Sequence, residues 1–242
     1  MLFSRLLDAT RTALRHAVPT QCAICHGWGD DRICATCRSR YAAPVARCER
    51  CALQVPETIS VCGACLREPP AYDSALAALA YAHPWDRLIA PFKFHAALDL
   101  APALARCLVD ASTQRRLPHP GLLLPVPLSA PRQRERGYNQ SWEIARRLGR
   151  MLACPADARL LLRIKDTPHQ LALPVERRAA NVRGAFAIEP ARRAELRGRK
   201  VTLVDDVLTT GATAAEITGV LRQAGASEVH LWVLARTPAP SD

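Results

Sequence analysis

The sequence predicts an α/β protein in which a mostly parallel sheet is covered by helices and preceded by a small cysteine-rich module. Three observations carry this expectation. Four Cys-x-x-Cys pairs crowd into residues 22–65. Beyond Pro69-Pro70, apolar runs of strand length alternate with stretches of helical periodicity. Late in the chain, the apolar run 201–204 passes through Asp205 and Asp206 into a Thr-Thr-Gly-Ala-Thr turn and a further helix. The chain has 242 residues, 49% of them hydrophobic and 23% charged, which suits one good domain plus a smaller one and excludes a disordered polymer.

Taken in order, residues 1–20 predict a short amphipathic helix, with Phe3, Leu6, Leu7, Thr10 and Leu14 on one side and Arg5, Asp8, Arg11 and Arg15 on the other. Those charges interrupt the apolar core that a signal peptide needs. No apolar run reaches the roughly 18 residues of a membrane span. A cytoplasmic protein without a membrane span is therefore expected. Residues 21–68 form the cysteine module, Pro69-Pro70 mark a boundary, and residues 71–238 form the α/β domain. Within it, 75–82, 121–128, 159–164, 184–188, 201–204 and 229–234 read as strands, while 100–110, 139–152 and 214–224 read as helices.

The pairs Cys22/Cys25, Cys34/Cys37, Cys48/Cys51 and Cys62/Cys65 each place two thiolates on one tight turn, half of a tetrahedral zinc site. Four pairs predict two structural zinc ions in a double zinc ribbon, where metal replaces a core that so short a segment cannot build. Disulfides are disfavoured because thiols stay reduced in a reducing compartment. The spacing leaves the pairing open between adjacent pairs (first with second, third with fourth) and an interleaved arrangement. A site closed by four thiolates keeps no position for substrate, so these metals are scaffolds. Cys107 and Cys154 lie in apolar stretches and read as packing residues.

The 33 Lys and Arg against 22 Asp and Glu give a net charge of +11, and residues 132–193 alone carry +8. Such an excess favours phosphorylated or polyanionic partners. The turn at Thr209, Thr210, Gly211, Ala212 and Thr213 can aim backbone N–H groups and hydroxyls at a phosphate at the start of the following helix. Asp205 and Asp206 then stand about one ribose away, where they can accept hydrogen bonds from sugar hydroxyls and help place a Mg2+ held mainly by pyrophosphate oxygens. A ribose 5-phosphate carrying a second leaving group needs this combination. Upstream, Arg132, Arg134 and Arg136 surround an expected turn at Gly137, where guanidinium groups can hold a pyrophosphate bidentately. The stretch 165–183 is long and polar. Lys93 draws attention as one of three lysines in a chain that otherwise uses Arg.

The stretch 201–213 is similar to the 5-phosphoribosyl 1-pyrophosphate (PRPP) signature of type I phosphoribosyltransferases. With its cysteine pairs the chain resembles the ComF family, also called ComF/GntX-like. Further blocks carry the likeness: Lys93-Phe94; Pro125-Val126-Pro127-Leu128 with Arg132 and Arg134 to Gln140; Arg163 with Thr167 and Gln170; and Arg178 with Asn181 and Gly184-Ala185-Phe186. The resemblance implies a phosphoribosyltransferase-type, Rossmann-like sheet. It implies PRPP contacts from Val204, Asp205, Asp206, Thr209, Thr210, Gly211, Ala212 and Thr213, and pyrophosphate contacts from Arg132, Arg134, Arg136 and Gly137. Asp205, Asp206 and Arg136 are the implied catalytic residues, and a mobile loop over 165–183 is implied to close over the substrate with contacts from Gln170, Arg178 or its neighbour Arg177, and Asn181. Two functions follow as expectations. One is Mg-dependent transfer of ribose 5-phosphate to a nitrogen acceptor with loss of pyrophosphate. The other is PRPP sensing coupled to single-stranded DNA and the DNA-uptake machinery of natural competence. Glutamine-dependent amidotransfer is not expected, since it needs an N-terminal nucleophilic Cys and the chain begins Met1-Leu2.

Overall fold

The computed structural model describes residues 19–167 and 180–238. The helix expected over 1–20 falls almost wholly outside these residues, and so do Gln170, Arg177 and Arg178. The chain divides into two compact units, Met1–Ala43 and Pro44–Asp242. This division lies between the second and third cysteine pairs, not at Pro69-Pro70. The third and fourth pairs sit with the sheet because they are bonded into it: Ala75 N–H donates to the Glu49 carbonyl at 2.9 Å, and Arg236 Nε donates to the Cys51 carbonyl at 3.0 Å.

In the smaller unit, β1 (Thr20–Gln21) and β2 (Trp28–Gly29) pair antiparallel and α1 (Ala35–Tyr41) follows. The larger unit runs α2 (Gly63–Arg67), β3 (Ser74–Ala80), α3 (Trp85–Phe94), α4 (Ala101–Gln114), β4 (Leu122–Pro125), α5 (Ala130–Arg136), α6 (Gln140–Met151), β5 (Leu161–Arg163), β6 (Phe186–Ile188), β7 (Lys200–Leu208), α7 (Ala212–Gln223) and β8 (Glu228–Arg236). The main sheet has the order β3-β8-β7-β4 with every pair parallel, and β5 and β6 form a separate antiparallel pair. A strand buried on both faces reads as an unbroken apolar run, as Leu122 to Pro125 does. Val201 and Leu203 of β7 share a buried cluster with Ile217 and Leu221 of α7. The intervening Thr202 and Val204 point to the other face by the two-residue repeat, where α4 and α6 pack on each other and on the strands. Each fully buried leucine in these layers contributes roughly 1.5–3 kcal/mol of transfer free energy.

Four elements differ from expectation. β7 continues through Asp205 and Asp206 to Leu208, because β8 runs beside it with Asp205 opposite Val233 and Leu208 opposite Arg236. Both acids are thus strand residues, and α7 begins at Ala212 rather than near Ala214. The block around Arg132–Arg136 is a helix, α5, closed by Gly137 in a left-handed conformation at φ 75°. Helix α3 was not anticipated. Its buried Trp85, Leu88, Ile89 and Phe92 have helical spacing, but the internal Pro91 masks that signal.

Entry into β4 depends on Gly121, whose φ is +75° and where an added Cβ would stand 2.3 Å from the Lys200 carbonyl oxygen. Gly121→Ala should combine left-handed strain with a backbone clash and cost on the order of 3 kcal/mol of stability. Denaturant unfolding with an unchanged m-value is the check; a loss below about 0.5 kcal/mol would contradict it.

Candidate functional site

The eight module thiols gather as two quartets, Cys22/Cys25/Cys34/Cys37 and Cys48/Cys51/Cys62/Cys65, with the sulfurs of each within 4.8 Å of one another. The adjacent pairing therefore holds and the interleaved one does not. In each quartet the first pair sits on a turn and the second on a helix start, Cys34 being the N-cap residue of α1 and Cys62 that of α2. The second pair of each quartet thus opens a helix where the spacing predicts a tight turn. The two turns repeat each other: His26 and Ala52 both take left-handed φ values of 60° and 57°, and Cys34 and Cys62 N–H point at Cys22 and Cys48 Sγ at 3.4 and 3.3 Å. A tetrahedron with Zn–S bonds of about 2.3 Å has sulfurs about 3.8 Å apart. The observed Cys25–Cys34 and Cys51–Cys62 separations are 3.8 and 3.7 Å, so the donor sets fit zinc. Burial opposes ionisation of Cys22 and Cys48, but backbone N–H donors outweigh it and bring them down to about 6 and about 7. Neither His26 nor His95 joins a quartet.

A cleft of about 200 Å3 opens over the C-terminal ends of β4 and β7, where open parallel sheets bind ligands. One wall is the turn Thr209 to Thr213 with the start of α7. Gly211, at φ 83°, is the N-cap residue and has no side chain to cap the helix; Ala212 N–H makes only a long bond of 3.4 Å to Thr210 Oγ1, and the first turn, Ala212 to Ala214, lines the cleft. The opposite wall is α5, from which Arg132 and Arg136 line the cleft. These two are four residues apart and share a helix face, whereas Arg134 is exposed and, with Gly137, does not line it. Arg132 Nη2 donates to the Thr167 carbonyl at 2.7 Å, and Arg163 Nη2 donates to Thr167 Oγ1 at 2.6 Å. The rim carries Phe94, about half exposed, with the Arg136 guanidinium 4.9 Å from its ring centre.

Asp205 and Asp206 form the floor. Lys93 Nζ lies 3.0 and 2.9 Å from the two Asp206 carboxylate oxygens, and Gln140 Nε2 donates to Oδ2 at 3.0 Å. Asp205 Oδ1 accepts from Ser141 Oγ at 3.0 Å. Burial and the adjacent Asp206 carboxylate push Asp205 up to about 7 against the pull of Lys93. Burial would lower Lys93, but the Asp206 and Asp205 charges prevail and hold it above its ordinary value. Gln140 also accepts from Arg136 Nη1 at 3.1 Å, joining the acid floor to the basic wall. Among the described residues only the cysteine quartets offer three or more grouped metal ligands. With both Asp206 oxygens engaged by Lys93, Asp205 is the carboxylate that could join a Mg2+ shell made otherwise of substrate oxygens and water.

The cleft thus collects Asp205, Asp206, Thr209, Thr210, Gly211, Ala212, Thr213, Arg132 and Arg136. Val204 is buried below it and Asn181 does not line it. Sequence reasoning gave no role to Gln140 and Ser141, and it left Lys93 as a residue without a partner. Gln140 is buried at 4% exposure, and its position in the first turn of an amphipathic helix was the available signal.

Fold and cleft define a phosphoribosyltransferase-type protein, and the family model described as a phosphoribosyl transferase domain matches residues 144–241. Over 91% of its length the chain is 33% identical to "DNA utilization protein YhgH" of Salmonella typhi, 98% of which is covered. It is 34% identical to the Escherichia coli (strain K12) protein of the same name, with the same coverage. Competence protein F of Haemophilus influenzae is 34% identical over 84% of this chain and 90% of its own. The chain belongs to the ComF family that these proteins represent. It is also similar to two solved structures. One is the glutamine PRPP amidotransferase from B. subtilis complexed with ADP and GMP, at 20% identity and a TM-score of 0.38, covering 60% of this chain. The other is described as the allosteric regulatory enzyme of purine biosynthesis, at 22% and 0.35, covering 55%. The matched region spans only 30% and 25% of those longer chains.

The two quartets predict two zinc equivalents per chain by elemental analysis of the purified protein. A count of one or none would refute the double site.

Proposed function

We propose that the chain binds PRPP with Mg2+ in this cleft and transfers the ribose 5-phosphate to a nitrogen acceptor with release of pyrophosphate, in the cytoplasm and in the service of DNA uptake or utilisation. One observation carries the reading: a single cleft joins a helix start with a glycine at its N-cap, an acid pair and two arginines on one helix face. In this reading the Thr209 to Thr213 turn holds the 5-phosphate through backbone N–H groups and hydroxyls. Asp205 accepts hydrogen bonds from the ribose hydroxyls, and Asp206 joins it in holding the sugar by exchanging a Lys93 contact for a hydroxyl. Arg132 and Arg136 meet the pyrophosphate and the charge it gains as the C1–O bond breaks. The bound Mg2+ supplies further neutralisation of that leaving group. No covalent nucleophile is needed, so the residues act by positioning and by opposing charge. Gln170, Arg178 and Asn181 belong to the proposal as closing contacts that keep water from the ribosyl carbon.

The names of the relatives favour a second reading, in which the PRPP site serves binding only and the basic wall of α5 grips single-stranded DNA. Arg134, exposed on the outer side of that helix, supports it.

Calorimetry with PRPP and Mg2+, product analysis with nucleobase acceptors, and salt-dependent binding of a single-stranded oligonucleotide separate the readings. Asp205→Asn/Asp206→Asn should weaken PRPP binding at least tenfold and abolish pyrophosphate release. Absence of PRPP binding by the wild-type chain would overturn the site. DNA binding that survives this double change but disappears when Arg132, Arg134 and Arg136 become Ala, without any turnover, would favour the second reading.

The acid floor also sets a pH dependence. Asp205 titrates near 7 in the free protein and must give up its proton to serve a Mg2+-bound ribose. Affinity for Mg–PRPP should therefore rise from pH 6 to pH 8, and Asp205→Asn should flatten the profile. An unchanged slope in that variant would assign the titration elsewhere.

A further inference from the structure

Arg236 is the last residue of β8 and is 9% exposed, yet its guanidinium serves carbonyl oxygens and a hydroxyl in place of a carboxylate. Nε donates to the carbonyl of Cys51, one of the second-quartet thiols, at 3.0 Å. Nη1 donates to the carbonyl of Leu208 at 3.0 Å and to Thr237 Oγ1 at 2.9 Å. Cys51 precedes the left-handed turn at Ala52, which is fully buried, and Leu208 immediately precedes Thr209 of the phosphate turn. One rigid, planar group therefore spans from the metal-site backbone to the base of the phosphate turn.

A second contact runs in parallel. Tyr72, 3% exposed, lies against Gly211 so closely that an added Cβ there would stand 3.3 Å from its hydroxyl oxygen and 3.7 Å from its ring. Ala52, Tyr72, Leu208 and Ala214 belong to one buried cluster. Well-packed interiors transmit displacement instead of absorbing it, and hydrogen bonds weaken steeply when their geometry shifts. A zinc ion held by four thiolates carries two net negative charges, which favours a guanidinium beside it. Without the metal, the Cys48/Cys51 turn is held to the Cys62/Cys65 helix start only by the Cys62 N–H contact to Cys48 Sγ and the Glu49 N–H bond to the Ser60 carbonyl, and Cys51 is less firmly seated against the Arg236 fork.

We propose that Arg236 and Tyr72 are positioning residues that couple the Cys48/Cys51/Cys62/Cys65 metal site to the phosphate turn, so that zinc and PRPP bind cooperatively. This rests on the PRPP reading above. Linkage requires the effect to be reciprocal: loaded zinc tightens PRPP, and PRPP tightens zinc by the same factor.

The test uses the full-length, zinc-loaded chain. Zinc loss to a competing chelator is measured with and without saturating PRPP, and PRPP affinity is measured by calorimetry before and after partial zinc removal. The expected result is that PRPP tightens at least one of the two zinc equivalents about tenfold, and that PRPP binding weakens about as much once this zinc is lost. Arg236→Gln should remove the coupling while both ligands still bind. Tyr72→Phe, which keeps the ring, should retain most of it, whereas Tyr72→Ala should not. PRPP affinity indifferent to zinc content in the wild type would overturn the coupling and leave the PRPP reading intact. A wild-type chain that binds no PRPP would overturn both. The ligand-dependent zinc measurement needs no variant, so a poorly folding Arg236→Gln does not blunt the test.

Discussion

Two neighbouring carboxylates at the end of a buried strand are expensive, and much of the larger unit is arranged around making them tolerable. Asp206 is nearly inaccessible, and beyond the Val207 N–H of its own strand its charge draws donors from two separate helices: Lys93 on α3 and Gln140 on α6. That requirement fixes where both helices end or begin. Tyr138 reinforces the arrangement by donating to the Phe92 carbonyl at 2.7 Å and accepting from Ala96 N–H at 3.2 Å, which ties the close of α3 to the approach of α6. Asn139 caps α6 and reaches the Val126 carbonyl at 3.0 Å, anchoring the same corner to the end of β4. The cleft is the space these constraints leave open.

Charge is organised by the same logic. An acid floor faces cations on one wall, and Gln140 links the two by accepting from Arg136 while donating to Asp206. A neutral amide at that junction lets positive and negative groups sit within reach of each other without collapsing into a direct ion pair that a substrate would have to break. Asp205 and Asp206 are therefore not equivalent: Asp206 is committed to Lys93, whereas Asp205 is pushed up towards neutrality and is the member whose charge state responds to what enters the cleft. The global excess of +11 says little about this arrangement. Its local sign matters more.

Much of the fold was legible. Strand β4 and the start of β7 read as apolar runs, and α6 announced itself through Ile144, Ala145 and Leu148 set against Arg146, Arg147 and Arg150. The cysteine pairs carried their own chemistry. What stayed hidden depends on long-range partners. The extension of β7 through two aspartates follows from pairing with β8, which local propensity disfavours and cannot report. The conversion of an arginine-rich turn into α5 carries Arg134 to roughly the opposite side of the helix from Arg132 and Arg136, at about 100° per residue, a distinction a list of basic residues lacks. Lys93 stood out by composition and as part of the Lys93-Phe94 block; its meaning came from an aspartate 113 residues away in sequence. The attachment of the second cysteine quartet to the sheet was invisible for the same reason, since its bonds run to Ala75 and Arg236.

The two cysteine turns share one local geometry, with a left-handed residue after the second thiol and an N–H aimed at the first, but they live under different neighbours. In the first, the left-handed position is His26, exposed to solvent; in the second it is Ala52, sealed inside the core of the sheet unit. The same building block is thus a free-standing clasp in one place and a foundation stone in the other. An engineer could recode the surroundings of the first with few restrictions. Around the second, any side chain larger than a methyl group at position 52 would have to displace the packing beneath the phosphate turn.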